Sequence, residues 1–191
     1  SVTQSKSLTP TTNFDNEFTF PLDEFYNLSK KKLPVIKTID KLDIPEPYKS
    51  LLVHERDMTS TLGQFHADKI QLNVLNQHLQ ENEYYREVLL LTKHEQRPVE
   101  YGAIKIFLNK FPESARKAIV EAAAPLGQLL HDYNINYLSR PKGFLVIECD
   151  KYIGDLLECK EQTRLFGRRN SLYEPNKHSK IAEIVEILPI S

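Results

Sequence analysis

Residues 84–108 read YYREVLLLTKHEQRPVEYGAIKIFL, and this stretch decides the fold. Two runs rich in aliphatic and aromatic residues, 84–92 and 99–108, flank a polar link, which predicts two antiparallel strands joined by a hairpin. The same patterns predict further strands near residues 70–74, 135–139, 143–149, 164–173 and 180–188. Helices are predicted over residues 47–54, 57–67, 112–121, 125–132 and 152–158, with Asp57 or Thr59 as the N-cap of the second.

These elements predict an α+β fold, because the strands come in hairpin-linked groups and the helices are inserted without regular β-α-β alternation. We expect a single antiparallel sheet of about six strands, covered on one face by helices. Residues 1–45 are rich in Ser, Thr and Asn and then interrupted by prolines. They are predicted to form a flexible N-terminal extension, followed by one domain over residues 46–191.

Composition excludes several classes of function. Lys plus Arg number 25 and Asp plus Glu number 26, for a formal charge of −1, so no strong basic field is available for nucleic acid or an anionic membrane. No apolar run is long enough to span a membrane, and no export signal is visible, so we expect a cytoplasmic protein with two free cysteines. Phosphate-binding glycine loops, zinc-binding histidine spacings and nucleophile elbows are missing, so no cofactor or metal is expected.

Two charges stand inside otherwise apolar strand faces. Side chains alternate along a strand, so Arg86 shares its face with Tyr84 and Val88, and Glu183 shares its face with Ile181 and Val185. An unpaired charge in a core costs several kcal/mol, so each needs a partner. Either the two pair with each other, or they line a small pocket in which Arg86 binds an anionic ligand and Glu183 a hydroxyl or ether oxygen.

Weaker signals concern anion binding and the chain end. The predicted helix starts at Met58 and at residues 125–127 leave backbone N–H groups free for an anion. Arg168 and Arg169 point to opposite faces, which predicts one solvated and one ion-paired arginine, with a second ligand carboxylate as the alternative. Glu186 lies on the face opposite Glu183 and is expected to be a surface or edge charge.

Four segments, in order, resemble the chorismate pyruvate-lyase family in its chorismate-lyase-like branch. They are residues 52–65 (LVHERDMTSTLGQF), 84–91 (YYREVLLL), 125–130 (PLGQLL) and 166–189, which contains GRRN and IAEIVEILP. The resemblance implies an antiparallel sheet whose helical flaps cover an internal ligand pocket. It implies that Arg86 and Glu183 are catalytic, and that Met58, Arg86, Leu126 and Glu183 bind the substrate.

The function implied by this resemblance is cleavage of chorismate to 4-hydroxybenzoate and pyruvate without a cofactor, as a carbon–oxygen lyase of ubiquinone or plastoquinone biosynthesis. Two alternatives remain open: a chorismatase-type lyase that forms 3-hydroxybenzoate, and a non-catalytic module that senses small aromatic acids. The sequence departs from the typical enzymes at residues 102–104, where they carry another arginine. The oligomeric state is not predicted.

Overall fold

The computed structural model describes residues 15–176 and 178–190, and within them seven strands form one antiparallel sheet. The strand order is β1-β5-β6-β7-β4-β3-β2, and every neighbouring pair is antiparallel. The bounds are β1 (Ile36–Ile39), β2 (Ile70–Gln80), β3 (Glu83–Thr92), β4 (Pro98–Phe107), β5 (Leu138–Glu148), β6 (Arg164–Tyr173) and β7 (Lys180–Leu188). The predicted α+β class is confirmed, with seven strands in place of about six.

The same residues contain seven α-helices, which lie on both faces of the sheet. They are α1 (Asp15–Thr19), α2 (Leu22–Leu28), α3 (Tyr48–Leu52), α4 (Met58–His66), α5 (Glu113–Val120), α6 (Leu126–Asp132) and α7 (Lys151–Leu157), with 3-10 turns at Lys41–Asp43 and Leu108–Lys110. No helix in these ranges has both the length and the apolar character needed to cross a membrane. The expectation that helices cover one face only is therefore corrected.

Three core clusters divide between the two faces. On one face α3 and α4 pack through Leu52 and Leu62, and α5 and α6 pack through Ile119 and Leu130. We call this the cavity face, because the candidate site lies where its two clusters meet. On the other side, called the opposite face, α2 and α7 cover the centre of the sheet, with Ile153 fully buried.

The N-terminal region is part of the sheet. Strand β1 pairs with β5, and Leu22, Phe25 and Tyr26 of α2 are buried in the core of the opposite face. The predicted boundary at residue 46 is therefore wrong for residues 15–45, where short apolar runs between prolines were interpreted as linker. Residues 1–14 of the predicted extension lie outside the described residues.

Local sequence explains how α4 is held at its start. Asp57 is the N-cap, and its carboxylate accepts the backbone N–H of Ser60 at 2.9 Å. This is one of the two caps that the sequence predicted, and it fixes the first turn of α4 above the cavity face. The helix ends at Ala67, whose positive φ of 53° turns the chain into β2.

Candidate functional site

A cavity lies between the cavity face of the sheet and the N-terminal tips of α4 and α6. It offers about 70 Å³ to the centres of water molecules, several times the roughly 10–15 Å³ that one water requires. Its floor is formed by strands β2 to β7, and its cover includes Met58, Thr59, Leu126 and Gly127. Most of the wall is apolar, contributed by Leu72, Val88, Leu90, Ile104, Leu130, Leu172 and Ile184.

The two helix tips touch each other above the cavity. A Cβ atom added to Gly127 would lie 2.7 Å from Asp57 Oδ2 and 3.0 Å from Thr59 Oγ1. Real Cβ atoms essentially never lie closer than 3.0 Å to such neighbours. A glycine at position 127 therefore allows the two tips to approach this closely. The cap of α4 and the first turn of α6 therefore form one cover.

Arg86 forms part of the wall and is 2% exposed. Its Nη1 donates to the carbonyl oxygen of Ile119 at 3.3 Å, and its Nε has no hydrogen-bond partner. In the part of the chain that the structure describes, no carboxylate forms an ion pair with this guanidinium. Burial lowers the pKa of Arg86, while the phenol of Tyr84 beside it acts to raise that pKa. An arginine stays charged even so, and the cavity wall therefore holds an uncompensated positive charge.

A second arginine in the cavity wall is fully paired. Arg168 Nε donates to Glu186 Oε1 at 2.9 Å across the β6–β7 pair. Its Nη1 donates to the carbonyl oxygen of His54 at 2.8 Å. His54 lies in the segment between α3 and α4. Through this hydrogen bond, Arg168 holds the segment that precedes α4 against the sheet.

Glu100 is the third charged position in the wall. Its side chain is buried, and its Oε1 has no hydrogen-bond partner. Burial raises the pKa of Glu100 well above its usual range; the nearby Glu186 carboxylate raises that pKa further, and Arg168 opposes both. These surroundings favour the protonated form of the Glu100 carboxyl group.

The cavity brings three of the four predicted site residues together. Met58, Arg86 and Leu126 all line it, Met58 and Leu126 from the cover and Arg86 from the floor. Arg86 pairs with Ile104 of β4, which pairs in turn with Ile184 of β7, so the even-numbered residues of β7 share its face.

Glu183 lies on the opposite face and does not reach the cavity. It forms ion pairs with Arg169 at 3.0 Å and with Lys180 at 2.7 Å, and it accepts the hydroxyl of Ser171 at 2.5 Å. Burial acts to raise its pKa, but these contacts hold the pKa below its usual value. The prediction that Glu183 shares a pocket with Arg86 is wrong, and so is the alternative that the two form a pair.

Two residues of the cavity, Glu186 and Glu100, were misplaced or missed, and one arginine outside it was misjudged. Glu186 was expected at the surface but is buried and paired with Arg168, and Arg169 is buried as well, so neither arginine is solvated. Glu100 carries the same signal that singled out Arg86, because it is the lone charge on its face of the predicted strand over residues 99–108. Faces can be matched between strands only once their register is known, because alternation gives relative faces within one strand.

This set of groups is suited to binding a small anion. It combines one unpaired guanidinium, one internal ion pair, one buried carboxyl group with an unpartnered oxygen and an apolar wall. Among residues 15–176 and 178–190, no group of three or more His, Cys, Asp or Glu side chains could hold a metal ion.

Comparison with known proteins gives structural neighbours alone. No protein-family model and no curated protein matches the chain. The effector domain of PhnF from Mycobacterium smegmatis is similar, with 11% identity, a TM-score of 0.51, and coverage of 70% of this chain and 88% of that one. A gene product of Staphylococcus aureus gives 10% identity, a TM-score of 0.51, and coverage of 70% and 87%. Full-length PhnF also gives 0.51, with 11% identity and coverage of 72% of this chain and 65% of its own length.

These comparisons correct the predicted activity. A further neighbour, the ligand-binding domain of a proposed GntR-family transcriptional regulator from Bordetella bronchiseptica, has 12% identity, a TM-score of 0.48, and coverage of 62% and 85%. Regulator domains of this kind, which include the PhnF effector domain with its TM-score above 0.5, share the chorismate-lyase-like fold. None of the neighbours described here is named as a chorismate lyase. The prediction of a carbon–oxygen lyase of quinone biosynthesis is therefore wrong, because the neighbours are effector-binding domains. At these identities the likeness shows the fold: the chain has the fold of regulator effector domains.

Proposed function

We propose that the chain is a non-catalytic binding domain for a small carboxylic acid. The observation that carries this proposal is Arg86, buried in the cavity wall with an unpartnered Nε and with no carboxylate paired to it. A planar guanidinium binds a carboxylate through two parallel hydrogen bonds, and a buried charge without a partner is costly. A ligand carboxylate would supply the missing partner.

The rest of the wall suggests what kind of acid this is. Leucine, valine and isoleucine side chains line most of the cavity, so the body of the ligand is apolar, such as a ring or a short branched chain. The small volume favours a compact acid. The hydroxybenzoates belong to this class and are the first compounds to test, with the dianion chorismate as a larger comparison.

The cover suggests how binding could be transmitted. Met58 and Leu126 line the cavity from the tips of α4 and α6, which contact each other through Asp57 and Gly127. A ligand between the floor and these tips would favour the conformation in which both helices are closed. A binding domain of this kind reports its ligand by such a shift in population.

The test is calorimetric titration with a panel of small carboxylic acids. Arg86→Met is expected to weaken binding of any acid that the native protein binds by about 100-fold, as for the loss of one partner of a buried charge pair. Arg140→Met is the matched control, because Arg140 is exposed on β5 of the same sheet, and binding should be unchanged. Equal affinities for the native protein and Arg86→Met would contradict the proposal.

A second measurement addresses the absence of catalysis. The native protein is incubated with chorismate, and pyruvate is assayed with lactate dehydrogenase. We expect no pyruvate beyond that of a protein-free blank. Pyruvate release that is lost in Arg86→Met would contradict a purely binding role.

A further inference from the structure

We propose that the carboxyl group of Glu100 is a second ligand contact, which selects acids that carry an uncharged hydroxyl group at the end remote from their carboxylate. This inference rests on the proposed function, since it concerns the same cavity. It assigns hydroxyl recognition to Glu100, whereas the sequence patterns had assigned it to Glu183, and it adds that the hydroxyl group lies at the end of the ligand remote from the carboxylate.

The first argument is where the unsatisfied atoms lie. Within the described ranges, four buried side-chain oxygen or nitrogen atoms lack a hydrogen-bond partner, and two of them, Arg86 Nε and Glu100 Oε1, belong to the lining of this one cavity. Buried polar atoms are nearly always satisfied in folded proteins, so each calls for an explanation. One ligand with polar groups at both ends would satisfy both.

The second argument is the spacing of the two groups along the sheet. Arg86 pairs with Ile104 on β4, and Glu100 lies four residues before Ile104 on the same face. The two positions are therefore roughly 13 Å apart along the strand, measured between backbone positions. Gly102 lies between them without a side chain, and the Glu100 carboxyl group extends over it, with Oε2 3.1 Å from the position that a Cβ of Gly102 would take. The carboxyl group therefore lies nearer to the Arg86 end of the cavity than the backbone spacing alone indicates, within reach of a small ligand.

The third argument concerns charge. Arg168 lies near Glu100 and is paired with Glu186, so a ligand cation at this end would meet a guanidinium and a ligand anion would meet a carboxylate. A neutral group avoids both. Because burial raises the pKa of Glu100, its carboxyl group can both donate and accept a hydrogen bond, and a hydroxyl group matches it in both directions.

The experiment compares matched pairs of acids by calorimetry. The probes are benzoate against 4-hydroxybenzoate, and cyclohexanecarboxylate against 4-hydroxycyclohexanecarboxylate. We expect the native protein to bind the hydroxylated member of at least one pair about 10-fold more tightly, the effect of one well-placed hydrogen bond. In Glu100→Leu this preference should disappear while the unhydroxylated acid still binds.

A second variant keeps the test decisive if Glu100→Leu does not fold by circular dichroism. A Cβ added at Gly102 would lie 3.1 Å from Glu100 Oε2, so Gly102→Ala should displace the carboxyl group and reduce the preference. Equal binding of both members of each pair, or a preference that survives in the folded variants, would overturn this inference and leave the proposed function intact. If no acid binds the native protein, both fail.

Discussion

Buried charged side chains on the two faces of the sheet differ in how completely they are paired. On the opposite face, Glu183 has three partners in Arg169, Lys180 and Ser171. Glu87 on the same face accepts the amide of Asn76 at 2.7 Å and the hydroxyl of Tyr101. On the cavity face, Arg86 and Glu100 are equally buried, yet each has a polar atom without a partner.

This difference separates charges that stabilise the fold from charges that are available to a ligand. Burying a charge is tolerated where hydrogen bonds and an opposite charge compensate it, as around Glu183. Where these partners are missing and the charged group lines a cavity, the free-energy cost of burying the charge remains in the ligand-free protein. A bound ligand can then reduce that cost. Burial alone therefore does not identify a site, whereas burial with an unsatisfied atom beside a cavity does.

The largest effect on stability is expected from breaking a buried ion pair on the opposite face. Arg169→Met removes the hydrogen bonds of Arg169 to Glu183 and to the carbonyl oxygen of Glu17, and leaves a buried carboxylate with Lys180 as its remaining cation. Urea unfolding should show a loss of about 3 kcal/mol, at the lower end for breaking a buried pair. Acid binding by the folded variant should be unchanged. A loss below about 0.5 kcal/mol, the size of an ordinary surface change, would contradict this account.

On the opposite face, Asp23 of α2 is an exception to this pairing, and it makes the stability of the protein depend on pH. Burial, followed by repulsion from Glu24, raises the pKa of Asp23 to about 6, and its Oδ1 has no partner. The native state thus binds this proton more tightly than the unfolded chain does. The resulting stability is present at pH below about 4 and is lost as the pH rises through 6.

Asp23→Asn should remove this pH dependence. At pH 8 the variant should be more stable than the native protein by about 1–2 kcal/mol. This gain is smaller than the full pKa shift of Asp23 would give, because Asp23 is partly exposed and solvent screens its charge. At pH 4 the two proteins should differ little. Thermal unfolding at both pH values measures the effect, and Glu161→Gln, an exposed carboxylate with the same charge change, is the control. Equal gains at both pH values would argue against the titration of Asp23.

A smaller effect is expected where α4 and α6 meet over the cavity. Gly127→Ala forces Asp57 away from its capping position, which should cost about 1 kcal/mol of stability. The affinity for a bound acid should fall because the cover no longer closes. The control is Gly63→Ala, in α4 and outside the cavity lining, which should leave the affinity unchanged. Unaltered binding by Gly127→Ala would show that the tips do not close on the ligand.

The smallest effect on stability is expected at Arg86, in contrast with Arg169. Arg86→Met removes an uncompensated buried charge, and the carbonyl oxygen of Ile119 keeps the backbone N–H of Ala122 as a donor at 3.0 Å. Urea unfolding of the ligand-free protein should show a change between zero and a gain of about 1 kcal/mol. A loss as large as that of Arg169→Met would remove the distinction between the two faces.

Local pattern predicted much of the fold. The hairpin of β3 and β4, the position of α4 with its Asp57 cap, and the start of α6 after Pro125 agree with the sequence-based prediction. The unusual character of Arg86 was also legible, because one charge in an apolar run is a local signal. Residues 15–45 were misjudged, since their contribution is a short edge strand and a helix whose burial depends on the rest of the sheet.

Sequence patterns alone therefore predicted the type of each element and which residues of one strand share a face, because these patterns repeat every few residues. Only the tertiary structure decided that Glu186 and Glu100, and not Glu183, share the cavity with Arg86. That outcome depends on the register by which β4 lies between β3 and β7, where a shift of one residue would exchange the faces. Hydrogen bonding between strands distant in sequence sets that register, and no local pattern encodes it.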